Sequence, residues 1–468
     1  MSTERNDGMT PREAAVLSLN SAFKNGRFVN LELDSAIRKY GFEDKDKSFY
    51  TRLLYGTVER RLTLDAFIDR LSERGRDRIE PLVLCILETA LYQIFYMDRV
   101  PASAACNEAT ELVKRLCPGS YAGYVNAVLR SAVRRKEALC AELAALCGLR
   151  GVSLRHSIPE WICELWERDY HDRFGAHSGQ GCVSGGEGDA AECIARGFES
   201  IPPHLTLRVN TLKTTADELF ARIGRENDGC PARKISDTLI TLGKSVPVEE
   251  IAGFDEGLFF VQDESSALCA SLIGSELLAQ TAFPVVIDTC ACPGGKTFAM
   301  AMQLENRGTV YSFDLHANRL SLIESGTKRL GITSVITEAR DARKPSEALF
   351  GKADAVLCDV PCSGLGILAK KPDIRYKNKA DVERLPDVQR DILLRSADYV
   401  KPGGFLVYST CTLRRAENED NVAAFLAARP DFEPALTGFA HEENGMKTFF
   451  PQVDGTDGFF VAKLARKG

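Results

Sequence analysis

Long apolar runs are missing from this 468-residue chain, and so is any strong excess of charge. The most apolar stretch, Leu82 to Met97, is broken by Glu88 and Gln93 and is too short to span a bilayer. A buried helix is expected there, and no membrane partner. The opening Met1-Ser2-Thr3-Glu4-Arg5 has no apolar core of the kind a secretory leader needs. A net charge of −6 excludes a protein that coats nucleic acid indiscriminately, but it leaves room for a local basic face. The 15 cysteines are odd in number and follow no regular framework, so reduced thiols in a cytoplasmic compartment are expected. No internal repeat is evident, which removes solenoid architectures.

What is present is length and three differently patterned regions. The length exceeds one ordinary core, so several domains are expected. Residues 8–146 show helical periodicity almost throughout, as in Ala14, Leu17, Leu19 and Ala22, with Pro101 and Pro118-Gly119 as punctuation. An all-helical domain follows from that pattern. The basic balance lies in this part, and Lys114, Arg115, Arg130, Arg134, Arg135 and Lys136 cluster in its later half. Those charges fit a solvated helix face as well as a phosphate-contacting patch. Residues 151–256 are mixed, with a strand at Leu205–Asn210, a helix from about Thr215, a strand near Thr238–Leu242 and a Gly/Ser-rich flexible insertion at 174–189. A small α/β domain fits. Residues 257–466 alternate strand and helix, predicting a doubly wound sheet with ligands at the carboxyl ends of its strands. Asp457–Lys463 reads as its last, edge strand.

In that third region Asp288-Thr289-Cys290-Ala291-Cys292-Pro293-Gly294-Gly295-Lys296-Thr297 follows an apolar strand and opens a helix. It matches neither the dinucleotide glycine fingerprint nor the phosphate loop, so a nicotinamide or a nucleoside triphosphate is disfavoured. Glycines let the backbone approach a ligand, and the helix start favours a carboxylate. Asp314 ends the next strand, where an acid accepts hydrogen bonds from a ribose diol, and Asp341 follows a third. Singly these are a tight turn and a helix cap. As an ordered set they suit S-adenosylmethionine.

Two further strands end at Asp359-Val360-Pro361-Cys362-Ser363-Gly364 and at Ser409-Thr410-Cys411-Thr412. Cytosine carbon 5 is a poor nucleophile until a thiolate adds at carbon 6 and converts the ring to an enamine. Asp359 is suited to hold the proton required at ring nitrogen 3, and Cys362 to assist release of the product. The competing view is that a strand-end cysteine is a small buried hydrophobe and that Asp359 caps a turn. The spacings of Cys290, Cys292, Cys358 and Cys362 match no common zinc site, so no metal is expected.

These motifs resemble those of the RsmB/Sun branch of the NOL1/NOP2/Sun family of RNA cytosine-5 methyltransferases. The similarity extends to Leu207-Arg208-Val209-Asn210-Thr211-Leu212-Lys213 and Val261-Gln262-Asp263. The helical third is similar to a NusB-type RNA-binding domain, including Ala90-Leu91-Tyr92-Gln93 and Val125 to Arg130. The resemblance implies a Rossmann-like class I methyltransferase domain with a mixed seven-stranded sheet, behind an all-α domain and a small α/β one. It implies Cys411 as nucleophile and Cys362 as the residue assisting release. It also implies a cofactor pocket of Cys290, Ala291, Cys292, Pro293, Gly294, Gly295, Lys296, Asp314, Asp341 and Asp359. The implied substrate is one cytosine of small-subunit ribosomal RNA before full assembly, with a monomeric enzyme. Cys292 stands where the family usually has alanine, Thr412 where it usually has serine, and the 174–189 insertion has no counterpart. The same chemistry on transfer RNA, or a non-catalytic RNA-binding factor, are the alternatives. Retention of both cysteines and the three aspartates disfavours the latter.

Overall fold

A computed structural model describes residues 8–25, 29–117, 119, 121–174, 188–201, 204–227, 230–243 and 247–468. Residues 175–187 of the expected insertion therefore lie outside the described residues. Contacts divide the chain into two units: Met1–Arg196 with Lys370–Lys377, and Gly197–Ala369 with Asn378–Gly468.

The first unit is helical: α1 (Pro11–Asn25), α2 (Val29–Tyr40), α3 (Asp44–Leu71), α4 (Pro81–Tyr96), α5 (Ala102–Leu116), α6 (Ala122–Ala144), α7 (Gly148–His156) and α8 (Glu160–Phe174), with α9 (Asp189–Ser200) leading out of it. The apolar stretch noted above is α4, opened by Pro81 at its first turn and by Glu80 accepting from the Val83 N–H at 2.9 Å. Glu88, which interrupts that stretch, is fully buried and is met by Arg61 at 3.0 Å. Gly56 sits within α3 because a Cβ there would lie 2.0 Å from the Tyr92 hydroxyl oxygen, so a side chain would force α3 and α4 apart. The late segment Lys370–Lys377 belongs to this unit. Its Tyr376 hydroxyl donates to the Val58 carbonyl at 2.8 Å, and Arg375 donates to the Glu59 carbonyl at 2.7 Å. No helix among the described residues is long and apolar enough to cross a membrane.

The second unit opens with an antiparallel sheet of β1 (Leu205–Val209), β2 (Ala232–Ser236), β3 (Leu239–Leu242) and β4 (Phe259–Val261), in the order β2-β3-β1-β4. Alternation sends Leu207 and Val209 into a core with Ile240, Leu242, Leu219 and Ile223. Leu219 and Ile223 come from α10 (Ala216–Glu226), which starts at a complete capping box between Thr215 and Glu218. The opposite face of β1 carries Thr206 and Arg208.

Helices α11 (Glu264–Ser271) and α12 (Gly274–Gln280) lead into the main sheet, built from β5 (Val285–Asp288), β6 (Thr309–Asp314), β7 (Val335–Ala339), β8 (Ala353–Asp359), β9 (Val400–Thr410), β10 (Phe432–Pro434), β11 (Met446–Phe449) and β12 (Phe459–Arg466). Its path is β10-β12-β9-β8-β5-β6-β7, with β11 also paired to β12. The sheet is mixed, seven strands along that path with an eighth beside it. The five strands from β9 to β7 run parallel, whereas β12 is antiparallel to β9. β12 is not an edge strand, as its position near the C-terminus suggested. Its outer side is occupied by β10 and β11, and Phe459 to Leu464 are all buried. The connecting helices that bear on the site are α13 (Gly295–Gln303), α14 (Ala317–Leu330), α15 (Lys379–Glu383), α16 (Leu385–Ser396) and α17 (Glu419–Ala428).

Candidate active site

Parallel strands place their carboxyl ends along one rim, and every candidate sits there. In sheet order the rim reads Cys411 after β9, Asp359 ending β8, the Asp288 loop after β5, Asp314 ending β6 and Asp341 just past β7. Five segments far apart in sequence are neighbours because a doubly wound sheet gathers strand ends at one edge.

At the β8 and β9 ends the Sγ atoms of Cys362 and Cys411 are 3.0 Å apart, and the Cys411 N–H donates to Cys362 Sγ at 3.3 Å. The Cys362 thiol is pushed well above the ordinary thiol range, first by its hydrogen bond with Cys411 and then by burial. Two loops must be pinned to hold such a contact, and Glu417 pins them. It is fully buried, and its carboxylate accepts from the Ser363 N–H at 2.9 Å and from Gln389 at 2.8 Å. Gln389 also donates to the Pro361 carbonyl at 3.0 Å. The Ser363 hydroxyl donates to the Thr412 hydroxyl at 2.8 Å, so threonine at 412 keeps the oxygen through which the two loops are tied.

Asp359 is held on both oxygens. Lys296 donates to Oδ2 at 2.6 Å, and Ser409, its register partner on β9, donates to Oδ1 at 2.7 Å. Burial opposes the charge of Lys296, but the adjacent carboxylate outweighs it and holds the ammonium above its usual range. Lys296 thus links the glycine loop to the thiol end of the rim.

The loop itself is a cradle. Gly294 has φ +112°, and a Cβ there would meet Phe298 Cζ at 2.6 Å. The amides of Gly295, Lys296 and Thr297, the first turn of α13, have no acceptor among the described residues. Asp288 is buried, with Oδ2 accepting from the Thr297 hydroxyl at 2.7 Å and Oδ1 without a hydrogen-bond partner among the described residues. Burial raises its carboxyl to about 7. Asp314 accepts from the Cys292 N–H at 3.3 Å and the His316 N–H at 3.0 Å. Free helix-start amides beside acceptor carboxylates fit a zwitterionic nucleoside whose carboxylate meets the amides and whose hydroxyls meet Asp314. Cys290 and Cys292 hold their protons firmly: burial raises both, and Asp314 beside Cys292 helps bring it to about 12. Asp341 is on the rim but spoken for. Arg343 grips it through its N–H, Nε and Nη2 at 2.9–3.0 Å and lowers its pKa. Among the described residues no group of three His, Cys, Asp or Glu could hold a metal ion.

Gln262, quoted above only within a matching segment, donates to the Gly295 carbonyl at 3.0 Å, and sequence reasoning missed Glu417 and Gln389. Nothing local marks them, because each acts on a loop from another element. Ser409 was quoted but given no task; its place two residues before Cys411, opposite Asp359, was the available signal. In the helical unit the six-residue basic cluster is thinner than it reads. Lys114 pairs with Glu111, Arg115 with Glu13 and Arg135 with Glu142, while Lys136 donates to the Ile94 carbonyl. Arg130 and Arg134 are exposed and have no acid partner among the described residues.

Residues 276–465 match the family described as 16S rRNA methyltransferase RsmB/F, and residues 9–134 match the NusB family. The chain is 34% identical to the probable ribosomal RNA small subunit methyltransferase B of Bacillus subtilis, over 98% of this chain and 99% of that one. It is 31% identical to the protein of the same description from Synechocystis, over 98% and 100%. Among solved structures, NSun6 from Pyrococcus horikoshii shares the fold with a TM-score of 0.54 at 22% identity, covering 65% of this chain and 98% of that one. The crystal structure of PH0851 shares it with a TM-score of 0.76 at 24% identity, covering 98% and 99%.

Proposed function

Since the chain belongs to the ribosomal RNA small subunit methyltransferase B family, we propose that it methylates carbon 5 of a cytosine in small-subunit ribosomal RNA through a covalent adduct on Cys411. The observation that carries this reading is the 3.0 Å pair of Cys362 and Cys411 on adjacent strand ends, beside Asp359 and Lys296. The cofactor is S-adenosylmethionine, which supplies an electrophilic methyl group; residues 290–296 and Asp314 would hold it, with Asp341 at the pocket's far side.

The protein's own groups do the rest. Cys362 keeps its proton at this stage, and Cys411, acting as thiolate, adds to carbon 6 of the base. The ring gains electrons as it does so, and nitrogen 3 takes a proton from the Lys296–Asp359 pair. Carbon 5 is then nucleophilic and accepts the methyl group. With Cys411 bound to carbon, the charge that held the Cys362 proton is gone. Cys362 gives up that proton to water, and its thiolate takes the carbon 5 proton as the bond from carbon 6 to sulfur breaks; Cys411 returns as thiolate and nitrogen 3 hands its proton back to the Lys296–Asp359 pair. A cytosine must leave its stack to lie across this pair, which suits RNA before assembly closes over it. In this division of labour residues 8–146 bind RNA, residues 257–466 carry the chemistry, and a monomer suffices.

The test uses Cys362→Ala and Cys362→Ala/Cys411→Ala proteins with small-subunit ribosomal RNA and cofactor on a denaturing gel. An RNA-linked protein band is expected in the single variant only. A band in the double variant, or none in the single variant under conditions where wild type transfers methyl groups, sinks the assignment.

A further inference from the structure

Arg208 lies outside the machinery just described. It is on the face of β1 turned away from the small-sheet core, and only 5% of it is exposed. Its guanidinium carries five N–H donors and a charge that cannot be shed at neutral pH. Among the described residues it meets only neutral acceptors: the Ala267 carbonyl at 3.4 Å and the side-chain oxygen of Gln303 at 3.0 Å, with the Gln303 amide oriented so that its nitrogen donates to the Ala270 carbonyl. No carboxylate among the described residues pairs with it. Burial alone acts on the group, lowering it to about 10 with no acid to restore it. A buried cation without a counter-ion is costly, and folded proteins pair such charges.

The guanidinium is not sealed in. It lines a cavity of about 360 Å³ whose other polar walls are Thr211, Ser236, Thr238, Ser271 and Gln303. Ser271 spends its hydroxyl proton on the Leu268 carbonyl at 2.6 Å, and Gln303 turns its oxygen to the arginine. Thr211 and the Ser236–Thr238 pair are left beside the guanidinium as donors for a tetrahedral oxyanion. Ser236 and Thr238 belong to the β2–β3 turn, where the cavity meets solvent, since Ser236 is exposed and Thr238 half-buried. Gln303 is the last residue of α13, whose first turn is the cofactor cradle. Nine helical residues separate the two ends by about 13 Å. The cavity is therefore distinct from the cofactor pocket.

We propose that the Arg208 cavity binds a phosphodiester group of the RNA substrate and so fixes the strand at a point remote from the reacting base. This rests on the reading of the protein as an RNA-modifying enzyme. Phosphate contacts set register without reading sequence, and an arginine that gains its counter-ion only from substrate couples binding to the right backbone path.

The full-length protein is titrated with a small-subunit ribosomal RNA fragment across a salt series, without cofactor. Arg208→Gln removes the charge, and Thr238→Glu places a carboxylate at the cavity mouth, where it would occupy the guanidinium. Each is expected to weaken RNA binding about tenfold and to lower the salt slope by about one ion. Unaltered affinity and slope in a folded Arg208→Gln protein overturn the site. Should Arg208→Gln fail to fold, Thr238→Glu carries the test with inorganic phosphate as probe. Phosphate should raise the melting temperature of wild type and not of that variant, and equal rises overturn the proposal. Methyl transfer by wild type on the same RNA separates the two readings. Transfer with an unaffected Arg208→Gln titration removes the site and leaves the function. No transfer with a phosphate response that Thr238→Glu abolishes removes the function and leaves the site.

Discussion

The two ends of α13 face opposite electrostatic problems. At its first turn the rim gathers Asp288, Asp314 and Asp359, and the structure supplies Lys296, Ser409 and backbone amides to hold them. At its last residue Gln303 touches a buried arginine to which the described residues supply no acid. The acidic end is largely satisfied within the fold, and what it lacks is an acceptor for its helix-start amides. The basic end lacks an anion. Both deficits describe a ligand, and the sign of each says which kind: a carboxylate-bearing cofactor at one end, a phosphate at the other. The lesson is that unspent donors locate ligand sites better than charge totals do. The basic cluster of the helical unit makes the same point in reverse, since four of its six members are spent internally.

If the two ends are independent, substitutions at the acidic end should alter chemistry, cofactor affinity or stability while leaving RNA affinity within about twofold, as expected for separated sites. The largest effect should come from Asp359→Asn, which removes the partner of Lys296. Single-turnover methyl transfer is expected to fall about 10²- to 10⁴-fold; a parallel collapse of RNA affinity would break the comparison. Next comes Glu417→Ala. It strips the acceptor from the Ser363 N–H and Gln389, each loss worth about 1–3 kcal/mol, so urea denaturation should report a stability loss of about 2–6 kcal/mol. Transfer should drop with it as the two cysteine loops separate. Asp314→Ala should weaken cofactor binding about ten- to a hundredfold, the worth of charged hydrogen bonds, read by calorimetric titration.

Smaller and more diagnostic is pH. Asp288 titrates at about 7 in the folded chain because it is buried, and at about 4 when unfolded. A raised value means that the folded form holds a proton the unfolded form has lost. The contribution is full below about pH 4 and is lost as pH rises through about 7. Asp288→Asn should flatten that decline, and denaturation midpoints at pH 5 and 8 that shift as much as in wild type would refute it. The smallest effect is Cys292→Ala. The thiol keeps its proton and makes no polar contact through sulfur beyond the vicinity of Asp314, so turnover should change by less than about twofold.

Much of this was legible from local pattern. The Thr215 helix start, the strands at Val285 and Thr309 and the loop at Cys290 are written in capping residues and apolar runs, and they fall where expected. The burial of Glu88 was not legible. An acid within an apolar helix reads as an interruption until Arg61, from another helix, is seen against it. Nor was the interior position of β12, because the strands that cover it, β10 and β11, are only three and four residues long. Short strands leave too few alternations to register as a pattern.

By itself the sequence determined the helical and sheet regions, the glycine-rich loop after β5 and the place of Cys362 and Cys411 just past two strands. Each is carried by residues within a few positions of one another, and such local chemistry survives without coordinates. Tertiary structure alone decided that the two thiols touch, that Glu417 holds their loops, that Lys296 bridges to Asp359 and that Arg208 meets no counter-ion among the described residues. These are relations between groups tens to hundreds of residues apart, and their energies depend on distance and burial, which only the folded chain sets.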